Sequence, residues 1–280
     1  MKITEGKIKY SLDLPKMGAD NHFSVYDKST KTHIKADYIN ETCFWNTHFA
    51  LCVVGAAGSG KTSTLCSIVC SKKKGSRVYA EVFDKIILNI PEASLRSLKS
   101  KPFDSIPDEQ IFDELNDEFI DKFTEMVTEN ADQEEPLDYL LICDDFVTRM
   151  KNNRRLNDKF LNLMNTRRHL RFSVILLCQD LLQMSLAQRN ALNGLIIFKP
   201  PNYKRLNLIN EEYLSLSTKD FKELSDYIWK KKGDSLMIKM NGGNVEFYKN
   251  FKELDFFCSC EGTKKCNLKV DNKNVDQDNG

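Results

Sequence analysis

The run Gly55-Ala56-Ala57-Gly58-Ser59-Gly60-Lys61-Thr62 has the spacing G-x-x-x-x-G-K-S/T. Small residues at these positions let consecutive backbone N–H groups turn inward around a β-phosphate, and a helix that starts directly after them aims its positive end at the same point. Lys61 then reaches the β- and γ-phosphates of ATP, and the Thr62 hydroxyl is suited to Mg²⁺. Gly55, Gly58, Ser59, Gly60 and Ser63 complete the expected cradle. Such a loop needs an acid from the end of another buried strand. Asp138-Tyr139-Leu140-Leu141-Ile142-Cys143-Asp144-Asp145 supplies four apolar residues and then two acids. Asp144 reads as the carboxylate of the Mg²⁺ shell, and Asp145 as the group that polarises the attacking water. A further apolar run, Ser173–Cys178, ends in Gln179-Asp180. In a parallel sheet its C-terminal end opens on the same crevice as the phosphates. Gln179 is therefore expected to bond both the γ-phosphate and the water, and to report whether ATP or ADP is bound.

These side chains must be delivered by buried elements. Phe49–Val54 has a buried-strand pattern, followed by the Gly-rich turn and a helix from about Lys61 to Lys72. A second strand fits Val82–Ile90, closed by Pro91, and Leu140–Cys143, Ser173–Cys178 and Leu195–Phe198 supply three more, with helical segments between. Strands that alternate with helices and are apolar on both faces predict an α/β fold with a mainly parallel sheet flanked by helices. The strand at Val82–Ile90 intervenes between the phosphate loop and the acid pair. That insertion points to the P-loop NTPase arrangement with an additional strand and a catalytic acid, in which water is the nucleophile. Small-molecule kinases run the two strands consecutively, so hydrolysis is expected rather than phosphotransfer. Small β additions are expected at both ends. Residues 1–48 read as a β-rich extension, 49–200 as the ATPase core and 201–261 as a completing helix and hairpin. That helix is Ser217–Lys232, and the hairpin joins Ser235–Met240 to Val245–Lys249 through Asn241-Gly242-Gly243-Asn244. The polar tail 262–280 is expected to be disordered.

Composition narrows the class further. With 280 residues, 41% hydrophobic and 29% charged, the chain can bury a sizeable core. Forty-one Lys and Arg against forty Asp and Glu exclude a globally basic nucleic-acid binder, so any such contact must come from local patches. The start MKITEGKIKYSLDLPK lacks the apolar stretch of a secretory signal, and the longest apolar run, Phe49 to Ala57, is broken by Gly55. Nine scattered cysteines read as reduced thiols, so a soluble intracellular protein is expected. Acid is concentrated in 107–135, with twelve acidic residues and one lysine. There Ile111, Leu115, Phe119, Phe123 and Val127 recur every four residues, as on a helix with one buried stripe. Its outer face reads as solvated surface, or as a screen that keeps an acidic polymer away from one side.

The order of motifs carries a resemblance. The phosphate loop, VFDKIILNIP, LLICDD, NTRRHLRFSVILLCQ and AQRNALNGLIIF follow one another over about residues 45–200. The most specific part is RRH before a strand ending in Gln, with Arg-Asn ten residues later. The chain resembles the genome-packaging ATPases of large DNA viruses, poxvirus-type and relatives, within the FtsK–HerA superfamily. The resemblance implies a homo-oligomeric ring that hydrolyses ATP to push double-stranded DNA into a preformed capsid, with capsid or portal-vertex proteins as partners. It also implies residence in the host-cell cytoplasm or virus factory, and association with the virion. Lys61, Thr62, Asp144 and Gln179 match the motif positions, and Asp145 stands where many relatives have Glu. Arg189 matches a basic residue that acts on a neighbouring subunit's ATP, with Arg167 and Arg168 as alternative arginine fingers. The proline expected before Arg189 is replaced by Met184-Ser185-Leu186, and Arg167 stands where a glycine is expected. Other readings are an ATPase of another DNA-transfer or pumping system, or a nucleotide-dependent assembly scaffold.

Residues 149–171 hold eight Arg or Lys against one acid, Asp158, directly after the acid pair. Lys151, Arg154 and Arg155, with Asn152 and Asn153, are candidates to grip DNA phosphates without reading sequence; a solvated helix face is the plainer alternative. Cys258, Cys260 and Cys266 suggest zinc but fall one ligand short and are spaced too closely. Phe44 and Trp45, just before the first core strand, are positioned to stack on adenine or, more ordinarily, to pack the core.

Overall fold

The computed structural model describes residues 1–12, 42–74, 76–96, 102–150, 153–241 and 244–257. All five predicted core strands form, within one ten-stranded sheet. In chain order the strands are β1 (Lys2–Ile8), β2 (Ala50–Val54), β3 (Lys85–Asn89), β4 (Ile111–Phe112) and β5 (Tyr139–Asp144). They continue as β6 (Phe172–Cys178), β7 (Gly194–Phe198), β8 (Ser235–Asn241), β9 (Asn244–Lys249) and β10 (Lys252–Phe257). The spatial order is β1-β10-β9-β8-β7-β2-β6-β5-β3-β4. From β7 to β4 all pairings are parallel, while β8, β9, β10 and β1 pair antiparallel. The sheet is thus parallel where it carries the predicted site and antiparallel beyond β7.

The strand that separates the phosphate-loop strand from the acid strand in space is β6, which lies on both β2 and β5. The strand that separates them in the chain, β3, sits outside β5. The additional-strand arrangement expected from the sequence is present. The expected β additions from the two ends of the chain lie together. β1 pairs with β10, so both extend one edge.

Period-two alternation along β2 divides two cores. Leu51 and Val53 join the cluster with Leu65, Ile68 and Val69 of helix α1 (Lys61–Cys70). Ala50, Cys52 and Val54 face the cluster that holds the helices α3 (Asp117–Ala131) and α5 (Arg154–Thr166). The short helix α2 (Glu92–Arg96) follows β3, and α4 (Phe146–Met150) follows the acid pair. Helices α6 (Leu186–Asn190), α7 (Tyr203–Ile209) and α8 (Thr218–Ile228) complete the set. Both faces are covered, which is why the parallel strands are apolar throughout.

The acidic helix forms as α3, with Phe119, Phe123 and Val127 buried on it, Leu115 buried just before it, and Asn116 capping it by accepting from the Phe119 N–H at 2.9 Å. The first member of the stripe, Ile111, belongs to β4 instead. Its charge has a local use. Lys159 of α5 lies 3.0 Å from Asp117 and 2.7 Å from Asp121, and Arg155 lies 3.5 Å from Asp117. Acidic α3 therefore faces basic α5, and part of the acid read as solvated surface, or as a screen against an acidic polymer, is paired at this seam. Among the described residues no helix is long and apolar enough to cross a membrane. The expected disordered tail and the candidate zinc cysteines lie outside the described residues.

Candidate active site

Sheet register brings the predicted site together. Val54 at the end of β2 is opposite Cys178 of β6 and Ile197 of β7, while Asp144 of β5 is opposite Leu177. Gly55, Gln179, Phe198 and the acid pair therefore lie side by side at the C-terminal ends of the central strands. The Gly55 N–H donates to the Cys178 carbonyl at 3.1 Å, and the Asp145 N–H donates to the Leu177 carbonyl at 3.1 Å. Both loops are thus tied to the strand that ends in Gln179.

The glycines of the loop are required by its path. Gly58 (φ 70°) and Gly60 (φ 112°) are left-handed. A Cβ on Gly55 would lie 2.5 Å from Ser59 Oγ and 3.0 Å from Phe198 Cβ. After the loop, the Thr64 N–H donates to the Gly60 carbonyl at 2.9 Å and α1 begins. Lys61 Nζ donates to the Gly55 and Ala56 carbonyls at 2.6 and 3.2 Å, folded across its own loop. Burial lowers the Lys61 pKa, against the pull of Asp144, Cys178 and Asp145. Burial likewise raises that of Asp144, opposed by Lys61. The two attract one another, yet desolvation prevails in both.

Asp145 has φ 51°, a left-handed conformation that costs a non-glycine residue some energy and that Asp tolerates better than most. Ser94 of α2 bonds to the Asp144 carboxylate, a contact that no sequence motif announced. Its only advance signal was position, just past the Pro91 that closes β3. Asp180, which carries no motif of its own, is buried and accepts from Arg205 of α7 at 2.5 Å, directly beside the exposed Gln179.

The arginine candidates separate. Arg167 is buried at the opposite edge of the sheet. It donates to the His48 carbonyl (3.1 Å), the Met164 carbonyl (2.7 Å) and Asn193 Oδ1 (2.6 Å). These bonds tie the end of α5 to the starts of β2 and β7, which removes Arg167 from the finger candidates. Arg167→Ala is expected to lower unfolding free energy by about 2–4 kcal/mol by orphaning buried acceptors. In a denaturant titration with a parallel hydrolysis assay, the folded fraction should keep wild-type kcat; a selective loss of kcat at full stability would contradict this structural role. Arg189 of α6 holds Glu212 through Nε (2.8 Å) and Nη2 (2.5 Å) and also donates to the Met184 carbonyl. Arg168 is exposed and lines a cleft of about 460 Å³ with Trp45, His48 and Asn193, at the edge away from the phosphate loop.

The other predicted contacts distribute as follows. Arg154 and Arg155 at the start of α5 have side chains 96% and 77% exposed. Asn153 is spent as the cap of α5, accepting from the Leu156 N–H at 3.0 Å, and Lys151 lies outside the described residues. The adenine-stacking reading of Phe44 and Trp45 is overturned. Both are buried at the far edge, and the Trp45 ring fills the space over Gly194, where a Cβ would come within 1.9 Å of it. The aromatic residue beside the loop is Phe198, whose ring would lie 3.4 Å from a Cβ on Gly60. Among the described residues no three His, Cys, Asp or Glu side chains cluster as a metal site, and the six described cysteines are buried and free.

The order β7-β2-β6-β5-β3, with the phosphate loop after β2, an acid pair after β5 and a polar residue after the strand between them, defines a P-loop NTPase with an additional-strand catalytic acid. The family model described as Poxvirus A32 protein matches residues 108–229, a span that includes the acid pair and Gln179 and begins after the phosphate loop. No curated protein sequence matches the chain. Among solved structures, the genome packaging NTPase B204 from Sulfolobus turreted icosahedral virus 2, in complex with ATP-gammaS, is similar at 16% identity and TM-score 0.50. The alignment covers 73% of this chain and 98% of that one. The DNA-packaging ATPase B204 from Sulfolobus Turreted Icosahedral Virus aligns over the same shares at 15% identity and TM-score 0.49. The P-loop ATPase fold and the resemblance to viral packaging ATPases, both read from the motif order, are borne out.

Proposed function

We propose that this ATPase is a motor that moves double-stranded DNA, and that its cargo is a viral genome entering a capsid. One observation carries the hydrolytic part: the phosphate loop, Asp144-Asp145 and Gln179 follow the C-terminal ends of adjacent strands. The cargo is supported by the family match and by what the similar proteins are named for.

In this reading Lys61 leaves the Gly55 carbonyl for the β- and γ-phosphates of ATP, and the N–H groups of Gly58 to Ser63 cradle the β-phosphate. The hard oxygen donors of Thr62 and Asp144 fit Mg²⁺, which neutralises phosphate charge when bound. Asp145, held left-handed by its bond to Leu177, accepts the proton of the attacking water. Gln179 bonds the water and the γ-phosphate. A ring neighbour supplies the arginine, Arg189 after release from Glu212, or Arg168; such a group is worth ~10³–10⁵ in rate. Capsid or portal-vertex proteins anchor the ring in the infected cell's cytoplasm or virus factory, or on the virion.

Arg154 and Arg155 grip the DNA backbone without reading bases. The test is ATP turnover with and without duplex DNA at low and moderate salt. Stimulation by DNA of any sequence, weakened by salt, is expected. The double variant Arg154→Ala/Arg155→Ala should lose most of it and flatten the salt dependence of DNA binding by roughly 1–2 in log–log slope. Turnover indifferent to DNA would contradict the motor reading and favour a nucleotide-timed scaffold.

A further inference from the structure

The bond between Asp180 and Arg205 lies where a sensor would need support. Gln179 is exposed at the end of β6, so its own surroundings do little to fix it. The next residue is different: Asp180 is only 8% exposed. Its Oδ1 accepts from the Leu182 N–H at 3.1 Å, which caps the turn Leu181–Gln183, and its Oδ2 accepts from Arg205 Nη2 at 2.5 Å. Arg205 is itself fixed at the backbone, where its N–H donates to the capping Asn202 at 3.2 Å. Both partners line one narrow cleft with Val54, Gly55, Gln179 and Phe198, so the pair lies against the root of the phosphate loop. The carboxylate beside it keeps the Arg205 guanidinium firmly charged.

We propose that Asp180 and Arg205 are positioning residues for hydrolysis: the pair holds the backbone that aims Gln179 at the γ-phosphate, and it ties that aim to α7. This rests on the reading of Gln179 as the γ-phosphate sensor. A charge-assisted bond at a mostly buried carboxylate is strong and directional, suited to fixing a neighbouring exposed side chain. Because α7 follows β7 directly, a change in Gln179 on loss of the γ-phosphate passes through the same bond into the antiparallel part of the sheet.

The test uses the full chain with the variants Arg205→Ala, Arg205→Lys, Asp180→Asn, Gln179→Ala and Gln179→Ala/Arg205→Ala. Steady-state kcat and KM, ATP-gammaS affinity and melting temperature are measured for each. Arg205→Ala is expected to lower kcat about 10- to 100-fold, with KM and ATP-gammaS affinity within about 3-fold of wild type. Arg205→Lys should recover much of the loss, and Asp180→Asn should resemble Arg205→Ala. The decisive comparison is the double variant: removing Arg205 when Gln179 is already absent should cost nothing further. Additive losses, or a fall in affinity matching the fall in kcat, would overturn the positioning role. If Arg205→Ala does not fold, Arg205→Lys and Asp180→Asn carry the same comparison in the Gln179→Ala background. Lys61→Ala separates the two levels. If it abolishes turnover while Gln179→Ala has no effect, the sensor reading fails and the pair's role with it. If Gln179→Ala is impaired and Arg205→Ala is not, the pair alone is refuted.

Discussion

Lys61→Ala should leave a folded protein whose ATP turnover drops by about 10³-fold or more, to the background of the assay. The size follows from what Lys61 does at the site. It is coupled electrostatically to Asp144, partly desolvated, and its ammonium rests on the Gly55 and Ala56 carbonyls at 2.6 and 3.2 Å. A desolvated charge poised beside the loop is worth far more to a developing γ-phosphate charge than one in water. Stability should change little, or rise slightly, because substitution removes a charge whose burial is unfavourable. Turnover by coupled phosphate release, with melting temperature as the folding control, checks both statements. Retained turnover would contradict the assignment of the phosphate loop.

The second large effect is expected at Asp145. Asp145→Asn keeps the shape and, like Asp, tolerates the left-handed φ of 51°. It loses only the ability to accept a proton. A fall in kcat of about 10²–10⁴ is therefore expected, with nucleotide affinity nearly unchanged. Asp145→Ala adds backbone strain, and it should lose stability as well as rate. Trapped, unhydrolysed ATP in single-turnover quench experiments would distinguish loss of chemistry from loss of binding. If Asp145→Asn hydrolyses normally while Asp144→Asn does not, the two acids exchange roles.

How much of this was legible in the sequence depends on range. The loop Gly55–Thr62 was readable because each glycine answers a local demand: left-handed φ at Gly58 and Gly60, and close approach at Gly55. The five core strands were readable because burial on both faces leaves unbroken apolar runs such as Ala50–Val54. Features set by distant partners were not. β10 (Lys252–Phe257) looks polar because it lies near an edge, and its pairing with β9 on one side and β1 on the other makes it a strand. Arg167 stood in the most specific stretch of the resemblance, yet its three acceptors on the Met164, His48 and Asn193 backbones and side chains make it a pin of the far edge. Trp45 had the right chemistry for a base but sits before β2, where the strand begins, and not after it. The Asp180–Arg205 bond joins residues 25 apart in the chain, with nothing local to signal it.

The central claim is that hydrolysis at this site drives motion along DNA, and displacement of a third strand from duplex DNA tests it most directly. A duplex carrying a short triplex downstream of a free end is incubated with the protein and ATP, with ATP-gammaS and Lys61→Ala as controls. Release of the third strand with ATP alone, from any duplex sequence and less at raised salt, is the expected result. DNA-stimulated hydrolysis that leaves the triplex in place would contradict a translocating motor.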